Sequence, residues 1–204
     1  MPQPVIFSLT RHAATVWNLE KRIQGHGDSP LSPQGMAAAR LWAANLRDAP
    51  FDRALCSDLP RVKQTFDILN ESLNIPVIYD RRLREQHFGR WTGKRWNEIA
   101  RRDLETQVAR GWDFRPPGGE SRTEVLGRSR EALLETAARF PGDAILVVCH
   151  EGVLKSLLYF LFRREYLPDE PKLLKASSMH RIVVEGGILR ADAINLSLEK
   201  DHHS

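Results

Sequence analysis

Short apolar runs, each followed by residues able to do chemistry, alternate along this chain with stretches of helical period, and that alternation constrains the fold more than any other feature. Residues 5–9 form the first run and lead into Thr10-Arg11-His12. A second, at 51–56, ends at Cys56 and passes into Ser57-Asp58-Leu59-Pro60. A third, at 75–79, contains Pro76, which belongs in the first residues of a strand or at a sheet edge. The most hydrophobic run, at 144–149, has His150 at its end. Near-continuous apolar runs of this length between turn signals suit strands buried on both faces.

Helical signals fill the intervals. Ser32-Pro33 supplies an N-cap and a first-turn proline, followed by the loosely periodic Met36, Ala39, Leu41, Ala44 and Leu46. Val62, Phe66, Leu69 and Leu73 keep helical spacing after Pro60. Val125, Ser129, Ala132, Thr136 and Phe140 mark one side of a helix expected over 121–140, and Val153, Leu154, Leu157, Leu158 and Leu161 mark another. Residues 181–185 and 188–193 read as a hairpin through Gly186-Gly187. Alternating strands and helices of this kind imply an α/β fold, a three-layer α/β/α sandwich with a mixed, mostly parallel sheet and a hairpin at one side. With 204 residues the chain is expected to be one domain, 1–204, with a polar, aromatic, lid-like insertion around 81–120 that carries one helix over 96–109.

Composition excludes more than it assigns. Hydrophobic residues make up 42% and charged residues 27%, the balance of a chain that packs a core, so disordered and fibrous classes drop out. The opening Met1-Pro2-Gln3-Pro4 brings no basic leader, and no segment approaches the ~20 apolar residues of a membrane span, so neither a signal peptide nor a membrane partner is expected. Cys56 and Cys149, at the ends of apolar runs, suit small buried residues in a reducing cytoplasm. The formal charge of +4 is spread over short pairs such as Arg81-Arg82 and Arg163-Arg164 with acids nearby, which argues against nucleic acid and is compatible with an anionic small molecule. Asp201-His202-His203-Ser204 reads as a frayed tail rather than a metal site.

In open α/β sheets ligands bind beyond the carboxyl ends of the strands. The first run delivers Arg11 and His12 there, the second Ser57 and then Arg61, the third leads to Arg84 and Glu85, and the fourth delivers His150. Each has an ordinary reading alone: a lone histidine bonds a carbonyl, and Arg11, Arg61 and Glu85 suit a solvated surface. Their convergence on one rim changes that. Arginine grips phosphate through a planar fork of paired N–H donors, and two histidines without an aspartate cluster or zinc-type spacing favour covalent over metal-assisted transfer, so no metal or cofactor is expected.

The segment Leu9-Thr10-Arg11-His12-Ala13-Ala14-Thr15-Val16-Trp17-Asn18 resembles the signature of the histidine phosphatase superfamily, the phosphoglycerate mutase-like proteins. Four further blocks in the family's order extend the resemblance: Arg22 to Gly35, Ser57 to Thr65, Leu83 to Gly93, and Val147 to His150. The resemblance implies a phosphoglycerate mutase-like fold and a phosphatase acting on a phosphate ester. His12 would be the nucleophile. Arg11, Arg61 and His150 would surround the phosphoryl oxygens, with Asn18 and Gln24 adding hydrogen bonds. Glu85 would protonate the leaving oxygen, a role that points to a mildly acidic optimum.

Three positions depart from the family pattern. Ala13 and Ala14 replace a glycine and a carboxylate or amide, and Glu151 follows His150 where glycine is common. Ala13 is a small change unless its φ is positive, and the loss at Ala14 removes support rather than a reacting group. Glu151 repels a phosphate unless it points outward or pairs with a cation, which makes it a substrate-site residue to locate. Two alternatives accompany the phosphatase. One is a mutase returning the phosphoryl group to a second hydroxyl; the short segment ending in Arg115-Pro116-Pro117-Gly118-Gly119-Glu120-Ser121 resembles the phosphatase branch instead. The other is a non-catalytic phospholigand binder. The substrate is left open, and Trp91, Trp96, Trp112 and Phe114 suit either a pocket wall or the packing of a loop-rich segment.

Overall fold

The computed structural model describes residues 3–199; the terminal segment 201–204 lies outside them. Its centre is a six-stranded sheet of β1 (Val5–Arg11), β2 (Arg53–Cys56), β3 (Val77–Tyr79), β4 (Ala144–Cys149), β5 (Ser178–Glu185) and β6 (Ile188–Ser197), in the order β3-β2-β4-β1-β5-β6. β1, β2, β3 and β4 pair parallel, β5 runs antiparallel to β1, and β6 runs antiparallel to β5. Gly186 and Gly187 close the hairpin with φ of 56° and 78°, the two left-handed residues that a tight turn matched to strand twist requires.

Among the described residues there are six helices, α1 (Val16–Leu19), α2 (Pro33–Leu46), α3 (Pro60–Leu73), α4 (Arg101–Val108), α5 (Arg122–Arg139) and α6 (Glu151–Leu161), of which α2, α3, α5 and α6 cover the sheet. On one face Trp42, Ala43 and Leu46 of α2 and Val62, Phe66 and Leu69 of α3 pack on Ala54, Leu146 and Val148. On the other, Val125, Ala132 and Leu133 of α5 and Val153, Leu154 and Leu157 of α6 pack on Phe7, Leu9, Leu55, Ile145 and Val147. Alternate residues of the central strands thus serve opposite layers, which is why these strands read as continuous apolar runs. The architecture is the three-layer mixed α/β sandwich. Among the described residues no helix is long and apolar enough to cross a membrane.

The structure differs from the sequence expectation at several boundaries. β2 starts at Arg53 and β3 at Val77, each two residues late; Pro76 keeps its place in the ladder through its carbonyl, which accepts from Ala54 N at 2.8 Å. On α2 it is Gly35, Ala39, Trp42, Ala43 and Leu46 that are buried, while Leu41 is 41% exposed, so the buried stripe is rotated from the one read in the sequence. The expected helix over 96–109 breaks into a single 3-10 turn, Trp96–Glu98, and α4. Ile99 and Ala100 between them take non-helical backbone, because Ile99 is buried in a small cluster with Ile23, Trp91 and Phe114. The short α1 was not foreseen; Thr15 and Asn18 form a reciprocal capping box around a single turn.

Parallel strands end on one side, and the ladder continues past them. His12 N donates to Cys149 O at 3.0 Å, and Ser57 N donates to Val148 O at 3.1 Å. The backbones of the residues that follow β1 and β2 are thereby fixed to β4 before any side chain is considered.

Candidate active site

His12 is 4% exposed, and its ring is oriented by two contacts of opposite kind. Nδ1 lies 2.8 Å from Ala13 O, and since a carbonyl only accepts, Nδ1 carries the proton. Nε2 accepts from Arg61 Nε at 3.2 Å, so it presents a lone pair. Burial, reinforced by Arg11 and Arg61, holds the imidazole pKa well below its ordinary value of 6.5, and the ring is neutral at physiological pH.

Arg61 is fully buried in the first turn of α3. Four of its five N–H groups are used within the protein: Nε on His12, NH1 on Gly27 O at 2.9 Å, and NH2 on Gly25 O at 2.8 Å and on His150 Nδ1 at 3.1 Å. Burial lowers its pKa to about 10, which leaves the cation intact at neutral pH. His150, also fully buried, has Nδ1 as acceptor and so donates from Nε2 to Ser57 Oγ at 2.8 Å. Burial, then Arg61, hold its pKa well below 6.5. The two imidazoles meet edge to face with centroids 5.2 Å apart.

Glu85 follows a 3-10 turn and is held by its own backbone. Its Oε1 accepts from Gln86 N at 2.8 Å and its Oε2 from Gly152 N at 3.2 Å. Its carbonyl receives His26 Nε2 at 2.8 Å and Arg128 NH2 at 3.1 Å. Arg84, one residue earlier, clamps Asp58 with two bonds of 2.7 and 2.6 Å, fastening this segment to the loop after β2. Burial pulls the His26 pKa down, so this donor is the neutral ring.

Glu151 pairs with two cations, Arg11 NH1 at 2.7 Å and Lys155 Nζ at 2.6 Å. Burial pushes its carboxyl pKa up, but Arg11 and Lys155 outweigh that and hold it below the usual value, so it is ionised and compensated. Asn18 spends its Oδ1 on Thr15 N at 3.0 Å, which leaves its amide N–H groups uncommitted. Gln24 is 7% exposed, and its Oε1 has no partner within the protein. Arg11, His12, Asn18, Gln24, Arg61, Glu85 and Glu151 line one cavity of about 540 Å³. His150 is not on its wall; it sits behind Arg61.

The family profile described as histidine phosphatase superfamily (branch 1) matches residues 7–195. The chain belongs to the histidine phosphatase superfamily. Among its relatives, the probable phosphoglycerate mutase GpmB of Yersinia pestis (strain Pestoides F) is 33% identical over 178 residues, 85% of this chain and 82% of the relative. The solved structure of Bacillus stearothermophilus YhfR matches with a TM-score of 0.83 and 31% identity, over 94% of this chain and 97% of that one. That of the mycobacterial glucosyl-3-phosphoglycerate phosphatase matches with a TM-score of 0.81 and 26% identity, over 96% of this chain and all, 100%, of the other.

The departures of this superfamily member from the family pattern have local explanations. Ala13 is not among the positive-φ residues; it works through its backbone, as carbonyl acceptor for His12 and as N–H donor to Thr65 Oγ1 at 3.1 Å. Ala14 likewise offers its carbonyl to Ser32 N at 2.9 Å and Ser32 Oγ at 3.1 Å, packing this loop on the start of α2. Of the four aromatics, Trp96 and Phe114 reach the cavity, Trp91 is buried in the cluster beneath, and Trp112 donates to Arg164 O at 2.8 Å. Sequence reasoning missed Gly152, Lys155, Arg122 and Tyr166. Only Lys155 carried a sequence signal, the i,i+4 spacing from Glu151.

A Cβ at Gly152 would collide with the Glu85 carboxylate, the movable end of a side chain. Gly152→Ala is expected to fold with an unchanged urea midpoint but to lose about a hundredfold in kcat, the cost that a displacement of roughly 1 Å carries for a group that takes part in the chemistry; kcat held at the wild-type value would show that Glu85 takes no such part. Titration gives a second expectation. Unfolded His12 and His150 take up protons near 6.5, whereas the folded rings stay neutral, so stability is lost as pH falls below that value. Urea unfolding should show a lower midpoint at pH 5.5 than at pH 7.5, and an unchanged midpoint would contradict the assignment.

Proposed function

We propose that this chain is a phosphatase that hydrolyses a phosphomonoester through a phosphohistidine on His12, with Glu85 as proton donor. The observation that carries this reading is the state of His12: a neutral ring with its proton fixed on Nδ1 and an Nε2 lone pair beside a buried guanidinium in the wall of a cavity.

In the first step Arg61 Nε turns its N–H from His12 Nε2 to a phosphoryl oxygen, and the freed Nε2 lone pair forms the N–P bond as the P–O ester bond breaks, while the Glu85 carboxyl gives its proton to the departing alkoxide. In the second the Glu85 carboxylate takes a proton from water, whose oxygen attacks phosphorus, and the N–P bond breaks to release phosphate and restore His12. Arg11, Arg61, the Asn18 amide and the Gln24 amide supply N–H groups for the phosphoryl oxygens, the main source of stabilisation in phosphoryl transfer. His150 steadies the Arg61 guanidinium through its Nδ1. Glu151 holds Arg11 at the cavity edge while Lys155 offsets its charge. The mycobacterial phosphatase neighbour supports hydrolysis, as does the short segment between Glu85 and α5; the GpmB relative is what favours mutase chemistry as the second reading.

Rapid quenching with a 32P-labelled ester should trap an acid-labile phosphoprotein in the wild type and none in His12→Ala, whose kcat/KM should fall at least about a thousandfold. Glu85→Gln should cost about 10²–10⁴-fold on alkyl phosphates and far less on p-nitrophenyl phosphate, which leaves without a proton. Rapid interconversion of 2- and 3-phosphoglycerate with little release of phosphate would replace the hydrolase by the mutase, and no turnover across a broad panel of esters would favour a binder.

The acid side of the rate profile follows from the same geometry. Because His12 stays neutral well below 6.5, kcat/KM should persist or rise between pH 7 and 5.5, a mildly acidic optimum. A fall of tenfold per pH unit starting near 6.5 would show His12 titrating as an ordinary surface histidine.

A further inference from the structure

The cavity is larger than a phosphoryl group needs. At about 540 Å³ it lies in the range of roughly 300–1,000 Å³ that accommodates a whole organic ligand. Away from His12 its wall is built of Phe88, Trp96 and Phe114 together with Arg122 and Tyr166.

Arg122 is the anomaly on that wall. It opens α5 at the first helical residue, the position where the helix macrodipole disfavours a cation. Its guanidinium carbon lies 4.4 Å from the centroid of Phe114 and 3.8 Å from that of Tyr166, so aromatic rings cover the group. Its NH1 is fixed by two carbonyls, Gly111 O at 3.0 Å and Tyr166 O at 2.8 Å. Both acceptors stand in left-handed backbone, with φ of 54° at Gly111 and 64° at Tyr166, an unfavourable conformation for a tyrosine. The chain accepts that strain to aim two carbonyls at one nitrogen.

What the protein leaves open is as specific as what it fixes. No carboxylate of the described residues pairs with Arg122; its hydrogen-bond partners are the two carbonyls, and the rings that cover it belong to Phe114 and Tyr166, whose phenol burial keeps neutral. With NH1 consumed, the edge formed by Nε and NH2 has no acceptor among the described residues. That edge presents two parallel N–H groups, the fork that fits two oxygens of one oxyanion.

We propose that Arg122 is a second anion site in the reaction cavity, and that the substrates of this enzyme are phosphomonoesters whose alcohol carries a further oxyanion, a carboxylate or a second phosphate, beyond an organic body lying on Phe88, Trp96 and Phe114. The proposal rests on the phosphatase reading of the same cavity. Arg122 selects the leaving group while His12 and Glu85 act on the ester.

The test is a series of phosphomonoesters with a carboxylate at graded spacing from the ester oxygen, each matched by its neutral carboxamide twin and by a twin bearing phosphate. At the best spacing wild type should favour the charged member over the carboxamide by about tenfold to a hundredfold in kcat/KM, the range of one charge-assisted pair. Arg122→Gln should bring that ratio close to one, and Arg122→Lys, which keeps charge without the fork, should fall between. The ratio cancels any loss common to both esters, and whichever of carboxylate and phosphate gives the larger ratio is the group recognised. A wild-type ratio near one at every spacing, or a ratio unchanged in Arg122→Gln, overturns the site. If circular dichroism shows Arg122→Gln unfolded, the wild-type series and Arg122→Lys decide. Should wild type hydrolyse none of the esters, the phosphatase reading fails by itself. Calorimetric titration of the same pairs then tests Arg122: a preference for the charged member that is lost in Arg122→Gln, or reduced in Arg122→Lys where Arg122→Gln is unfolded, sustains the site, and no preference, or one the variants leave unchanged, ends it.

Discussion

The buried guanidinium of Arg61 is the interaction on which the site depends. A cation with no exposed surface is costly to place, and it is tolerated here because four of its N–H groups find acceptors and none of them is a carboxylate. A carboxylate partner would neutralise the charge. Two glycine carbonyls and two imidazole nitrogens satisfy the hydrogen bonds and leave the charge available. The same contacts settle the tautomers of both histidines, since Arg61 can only donate. Burial then acts in one direction on all three groups: it keeps the imidazoles neutral and brings Arg61 down, yet not far enough to discharge it.

This arrangement demands positional accuracy, and the sheet provides it. His12 and Ser57 are bonded through their backbones to β4, and His150 follows that strand directly, so three of the residues around Arg61 share one rigid reference. Glu85 comes from elsewhere, the irregular segment after β3, and is secured by different means: the Arg84–Asp58 clamp, donors on its carbonyl from His26 and Arg128, and N–H groups of Gln86 and Gly152 on its carboxylate. Gly152 also ties Glu85 to the start of α6, and there the absence of a side chain is what permits the approach.

Much of this was legible in the sequence, and the reasons differ by level. The central strands were plain because a strand buried on both faces has no polar positions to blur its run, and their polar ends marked where Arg11, His12, Ser57 and His150 would gather. The helix over 96–109 was misjudged because local propensity there is overridden by one contact, the burial of Ile99 against Ile23, Trp91 and Phe114, which no local pattern reports. The stripe on α2 was blurred by alanines, whose burial carries little hydropathic signal. Arg122 and Tyr166 could not have been found: one is a cation among many in the chain, the other a lone aromatic, and their pairing depends on a loop conformation with two left-handed residues.

The three departures from the family pattern fall where side-chain identity matters least or is compensated. Ala13 and Ala14 contribute carbonyls and an N–H that any small residue supplies, so replacing a glycine and a longer polar side chain leaves the support of His12 intact. Glu151 is different, because its carboxylate adds a charge at the cavity edge. Arg11 and Lys155 cancel it locally, and exposed pairs of this kind, with side chains 40% and 43% accessible for Arg11 and Glu151, add little to stability. Its effect is therefore on geometry: Arg11 is held from one side by Glu151, which fixes the direction in which its remaining donors face. Neither oxygen of the carboxylate pairs with Arg61, so the buried cation is left without a carboxylate partner, while the outer cation is constrained in position at the cost of part of its charge.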